Sequence, residues 1–246
     1  MSPDAKRTAR SRNRRFEAEE GTSIRGGLSR EARRQSGRGS SDRSLTRGWA
    51  LNPYLSFFLL VGVSMATFRL EHHLRLALLW LALLFIVLLY ADGKPLRANY
   101  SLRNLSRGAW LGLVVALPVS LVAHKFLYAT ASWLYGANDL LALAERAVFL
   151  VPVLEESFFR GVVQRERGLL EGALLFGVAQ ALYFVTAVDV FPLVITALVA
   201  AMTLLGLLYG YLYSRHGLTA SISCHVVTKF VLLVLPVLVE QISRFL

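Results

Sequence analysis

The sequence predicts an all-α, polytopic membrane protein of about seven transmembrane helices with a disordered, basic N-terminal tail. Three observations carry this expectation. The chain is 55% hydrophobic and only 17% charged, against ~45–50% and ~25% in an ordinary water-soluble domain. The apolar residues gather into seven stretches of roughly membrane-crossing length. The charge is lopsided: residues 1–49 hold 13 of the 27 Lys+Arg and 6 of the 16 Asp+Glu. The pI of 10.3 is therefore mostly a property of the tail, and no nucleic-acid partner is expected.

Segment 1–49 is rich in Arg, Ser and Gly and poor in large apolar residues, too few to offset the entropy of ordering. Its charge fits a solvated cytoplasmic extension that fixes topology, or one that docks on anionic lipid headgroups. The bilayer domain then runs over 50–246, with apolar stretches at about 50–69, 74–91, 110–135, 140–163, 168–188, 191–213 and 218–242. No secretory signal is expected, since the first apolar run starts near Leu51, and the first helix should remain in the membrane.

Basic residues alternate by loop as the positive-inside rule requires. Lys94, Arg97, Arg103 and Arg107 fall in 92–109, Arg165 and Arg167 in the turn at 164–167, and Arg215 in the turn at 214–217. The loops at 136–139 and 189–190 are sparse. This places the N-terminus in the cytoplasm, with one dissenting loop at 69–75 that carries Arg69, Glu71, His72, His73 and Arg75. The single Cys224 excludes an internal disulfide and a multi-cysteine metal site; it reads as a small packing residue.

Ionisable groups within the hydrocarbon layer cost at least ~2.5–3.5 kcal/mol each, so they mark function or a committed ion network. The fourth stretch holds Glu155-Glu156-Ser157-Phe158-Phe159-Arg160-Gly161. Glu156 and Arg160 stand at i, i+4 and can pair along one face, while Glu155 points about 100° away and stays free for proton work. The seventh stretch supplies His225 and, one turn on, Lys229. Counted from the cytoplasmic ends of their spans, Glu155, Gln180 and His225 all lie ~14–18 Å deep at 1.5 Å per residue. Three polar groups in one layer can converge on one cavity. Tyr183, three residues past Gln180, shares its face, and His124-Lys125 reads as a water-facing or satisfied pair.

These residues resemble the CPBP intramembrane proteases, which include the CAAX prenyl endopeptidases and Abi-type bacterial proteins. Glu155-Glu156-Ser157-Phe158-Phe159-Arg160 matches the family's EExxxR fully, and Gly206 to Leu218 resembles its approach to the last motif, over roughly 110–240. Gln180, in Phe176-Gly177-Val178-Ala179-Gln180, stands where FxxxH has histidine, and Lys229 where Asn follows the last His. The resemblance implies Glu155 as general base, His225 as water or oxyanion partner, and Glu156 and Arg160 as orienting groups. Gln180 becomes a neutral amide that moves no proton, and Lys229 an oxyanion cation or a snorkelling one. The family has been described as metal-dependent, but Glu155 with one imidazole is a poor zinc set, so neither metal nor cofactor is expected.

The expected activity is an intramembrane endopeptidase of glutamic type. It hydrolyses a peptide bond near the C-terminus, or within the membrane segment, of an anchored protein or peptide. Arg-over-Lys usage and the resemblance suggest a bacterial cytoplasmic membrane. The alternative is a catalytically impaired family member serving as scaffold or regulator. A proton-coupled carrier is disfavoured by the lack of internal repeats.

Overall fold

Residues 52–94, 96, 100–136, 139–187 and 191–244 are described by a computed structural model. The tail expected to be disordered, 1–49, lies outside these residues. Among the described residues there is no strand, and each of the seven expected stretches is helical. Helix α1, Pro53–Ala66, starts where Asn52 accepts from the Tyr54 N–H at 3.0 Å and Pro53 presets φ for the first turn. Helix α2 is His72–Gly93. Glu71 caps it, accepting from the His73 and Leu74 N–H groups at 3.1 and 3.0 Å. Of the five dissenting residues in the first hairpin, Glu71 is therefore a cap and Arg75 a buried helix residue.

The expected stretch 110–135 is two helices, α3 (Leu102–Val122) and α4 (His124–Tyr135), separated by Ala123 at φ −103° and ψ 18°. No glycine or proline flanks Ala123, so no local residue type marked the break. The stretch at 140–163 is one continuous run assembled from α5 (Leu140–Ala144), a π segment (Glu145–Leu150), α6 (Val151–Phe158), a second π segment (Phe159–Gln164) and α7 (Arg165–Arg167). Helices α8 (Leu169–Tyr183) and α9 (Pro192–His216) follow. The last run joins α10 (Leu218–Lys229), a π segment (Phe230–Val234) and α11 (Leu235–Ser243). Pro152 and Pro236 each stand within two residues of the end of a π segment. A proline cannot donate to the carbonyl four residues back, so a local widening of the ladder there is the expected response.

Among the described residues four helices are long and apolar enough to cross a membrane: α2, α3, α9 and the run Leu218–Ser243. Helices α1 and α8 are apolar but shorter, at 14 and 15 residues, roughly 21–23 Å at 1.5 Å rise. The expected span at 168–188 is thus cut short at Tyr183, which puts Gln180 in the last turn of α8 rather than at mid-helix.

Helix α3 lies along α10, and α8 along α9. The first pairing rests on a stripe of small residues, Gly108, Gly112, Ala116 and Ser120, all buried and four apart. In lipid, where apolar side chains gain nothing by leaving one apolar medium for another, close backbone approach is a main source of helix association. A Cβ on Gly112 would come 2.5 Å from the Cys224 carbonyl oxygen, and one on Gly108 would overlap the carbonyl of Ala220. Gly112→Val is therefore expected to part α3 from α10 and lower stability by about 1–3 kcal/mol; thermal unfolding in detergent measures it. An unchanged melting point would mean that the seam is dispensable.

The turn between α7 and α8 is tied to both of the first two helices. The Tyr54 hydroxyl donates to Glu171, with the Arg167 guanidinium 4.5 Å from the Tyr54 ring centre. Glu166 accepts from Tyr90 Oη and Lys94 Nζ, both at 2.7 Å. The Lys94 ammonium, and then the Tyr90 hydroxyl, hold the Glu166 carboxyl below its ordinary value. A lowered folded-state value stabilises the fold above the unfolded carboxyl value of ~4.3, and that contribution is lost as pH falls through the folded one. Both partners are partly exposed, so screening limits the pair to at most about 1 kcal/mol. Lys94→Met, which keeps the packing stem, should lower stability by up to about 1 kcal/mol at pH 7 and leave it unchanged near pH 2, where Glu166 is protonated, so that the acid limb of the stability curve flattens.

Candidate active site

Glu155 and Glu156 are adjacent on α6, so their carboxylates diverge toward different neighbours. Both are buried, at 1% and 0% exposure. Glu156 faces α10 and its own helix. Its Oε1 accepts from His225 Nδ1 at 2.9 Å, and its Oε2 from Arg160 Nε at 3.3 Å and from the Ser221 hydroxyl. Arg160, in the second π segment, also donates through Nη1 to Gln164 Oε1 at 3.4 Å and lies 5.3 Å from the centre of the Phe176 ring. Gln164 Nε2 in turn donates to the Gly210 carbonyl at 2.9 Å and to Ser214 Oγ at 3.0 Å. One carboxylate is thus embedded in a network joining α6, α9 and α10.

Glu155 faces α8. Its Oε1 accepts from Gln180 Nε2 at 2.9 Å and from Tyr183 Oη at 2.8 Å. Its Oε2 is buried with no hydrogen-bond partner, 3.4 Å from His225 Nε2 and 3.8 Å from Lys229 Nζ. His225 therefore bridges the two carboxylates. Its ring is stacked on Tyr209, centroids 4.6 Å apart at 18°, and meets the edge of Phe176 at 5.6 Å, which fixes the plane of the imidazole. Since Nδ1 donates to Glu156, Nε2 is free to accept a proton or share one.

Gln180, Tyr183, His225 and Lys229 line a cavity of about 90 Å³, large enough for water or a small part of a substrate. Glu155 stands behind these residues; it lines a separate apolar void of about 20 Å³ with Leu60, Leu79 and Phe159. The larger cavity shares Phe126, Leu127, Met202 and Leu205 with an apolar groove of about 600 Å³ between α3, α4 and α9. Polar chemistry and a long apolar channel are therefore contiguous.

The structure brings together all six residues singled out in the sequence: Glu155, Glu156, Arg160, Gln180, His225 and Lys229. It adds two that sequence reasoning did not weigh fully. Helical spacing places Tyr183 on the face of Gln180 and no more, whereas its hydroxyl reaches Glu155. Ser221, one turn before His225, had no signal beyond its i−4 position. Cys224 is free and buried, beneath the glycine seam. His124 sits at the break between α3 and α4, away from this cluster. Among the described residues no group of three or more His, Cys, Asp and Glu suits a metal ion. The cations Arg160 and Lys229 beside the carboxylates make the donor set a poor one for a metal.

Residues 137–231 match a family model described as type II CAAX prenyl endopeptidase Rce1-like. The match covers under half of the chain and contains every residue of the cluster; α1 to α4 lie outside it. No curated protein and no solved structure matches.

Proposed function

We infer, from the match of residues 137–231 to the type II CAAX prenyl endopeptidase Rce1-like model, that this chain is an integral membrane endopeptidase hydrolysing a peptide bond by Glu155-activated water. The substrate is a membrane-anchored protein or peptide cut near its C-terminus or within its membrane segment. One observation carries the mechanism: the unpartnered Oε2 of Glu155, faced by His225 Nε2 and Lys229 Nζ beside a cavity of about 90 Å³. Water bridging Oε2 and Nε2 would lose its proton to Glu155 as its oxygen attacks the scissile carbonyl. The oxyanion then forms beside Lys229, whose ammonium is worth most where water is excluded. Collapse of the tetrahedral species passes the proton to the leaving amine. Gln180 and Tyr183 hold Oε1, so the basic lone pair is directed through Oε2. The apolar groove admits the substrate's lipid-facing part from the side.

The setting we propose is a bacterial cytoplasmic membrane with the N-terminus inside and the basic residues of 1–49 toward anionic headgroups. The test is cleavage of a quenched peptide, with and without a C-terminal lipid anchor, by the purified full chain in liposomes. Cleavage of the anchored form alone is the expected result; cleavage of neither ends the proposal.

A second reading, a family member without peptidase activity that serves as scaffold or regulator, draws on Gln180. An amide donates to Glu155 where the family has an imidazole, and it can neither take nor give a proton.

A further inference from the structure

Arg75 is fully buried in α2, outside the segment that matches the family, and no carboxylate pairs with it among the described residues. A guanidinium placed so costs several kcal/mol unless something specific receives it. What receives it is the C-terminal end of α8: Nη1 donates to the Leu182 carbonyl at 2.9 Å and Nη2 to the Tyr183 carbonyl at 2.8 Å. Ser64 Oγ of α1 donates to the same Leu182 carbonyl at 3.4 Å, and Arg75 Nη2 also lies 3.4 Å from His72 Nδ1. The last carbonyls of a helix have no partner within it, and the helix dipole makes that end negative. A buried cation is held there by charge as well as by geometry.

The capped turn is the one that serves Glu155. Tyr183 accepts from Arg75 through its carbonyl and donates to Glu155 Oε1 through its hydroxyl, and Gln180 lies one turn before it. Helix α8 ends here and is followed by the short turn Val185–Ala187, so its last carbonyls have no helical partner. We propose that Arg75 is a positioning residue for the Glu155 site: it pins the end of α8 so that Gln180 and Tyr183 hold Oε1 and leave Oε2 facing His225 and Lys229, which line the cavity. This rests on the reading of Glu155 as the base, and the experiment separates the two.

The full chain is purified as wild type, Arg75→Met and Arg75→Lys. Hydrogen exchange of the peptide spanning 180–187 reports the anchor without any need for activity. Uptake should rise in Arg75→Met, rise less in Arg75→Lys, and stay unchanged over 218–229. In peptide hydrolysis, Arg75→Met should lower kcat about 10–100-fold with KM within about threefold, since orientation and not substrate binding is lost. Arg75→Lys should restore part of it. In a Tyr183→Phe background the same substitution should cost at least about threefold less, because the group it positions is already gone. Unchanged exchange at 180–187, or an equal kinetic loss in both backgrounds, overturns the proposal. If exchange rises but the wild type cleaves nothing, the peptidase reading fails and the anchoring of α8 stands. Should Arg75→Met not fold, Arg75→Lys carries both readouts.

Discussion

Glu155→Gln is expected to lower kcat/KM by about 10²–10⁴-fold, the range for loss of a positioned general base, with a smaller effect on stability, about 1–3 kcal/mol, from the carboxylate that Lys229 loses. The geometry separates the two effects unusually well. The retained carbonyl oxygen can still accept from Gln180 and Tyr183. The new amide nitrogen replaces Oε2, which faces His225 Nε2 at 3.4 Å. Because Nδ1 donates to Glu156, Nε2 can accept from that amide, so the variant gains a hydrogen bond where the parent has none. Lys229 loses its nearer carboxylate at 3.8 Å; it is itself buried, so this unpaired ammonium is the main cost of the substitution to the fold. Melting temperature in detergent and cleavage of an anchored peptide are the paired measurements. Parental activity in the variant would remove Glu155 from the chemistry and favour the scaffold reading. Absence of activity in both proteins would do the same.

The convergence of Glu155, Gln180 and His225 was legible because depth in a membrane is a one-dimensional quantity: residues counted from a charged turn, times a fixed rise, give a layer. The Glu156–Arg160 pair followed from helical spacing, although Arg160 sits in a π segment. Positions fixed by contacts between distant segments were not legible in this way. Arg75 reads as a loop charge from its sequence neighbours Arg69, Glu71, His72 and His73, and the carbonyls that receive it lie more than a hundred residues later. The small-residue stripe of α3 follows a charged start, Arg103 and Arg107, that the positive-inside rule assigns to the loop 92–109 and the structure to the helix. Helix α8 ends five residues before its expected boundary because apolar residues continue past Tyr183 while the helix does not; hydropathy reports solubility in lipid, not backbone hydrogen bonding. That early end is what makes a cap from another helix necessary.

Glu156→Ala is expected to destabilise the protein by about 3–5 kcal/mol, the usual cost of leaving one member of a buried ion pair without its partner. Arg160 would keep its charge at 0% exposure, with Gln164 Oε1 at 3.4 Å and the face of Phe176 as its remaining stabilising contacts. Ser221 and His225 Nδ1 would lose an acceptor at the same time. Deleting both charges acts differently. In Glu156→Ala/Arg160→Leu no uncompensated ion remains, so the double variant should recover at least about 1–2 kcal/mol relative to Glu156→Ala alone. Thermal unfolding of the four corners of this cycle gives the coupling directly. Recovery of stability in the double variant without recovery of cleavage would assign Glu156 and Arg160 to holding His225 in place as well as to the fold. Additive losses would show that the two side chains stabilise the bundle independently, and that the network joining α6 to α10 does not act as a unit.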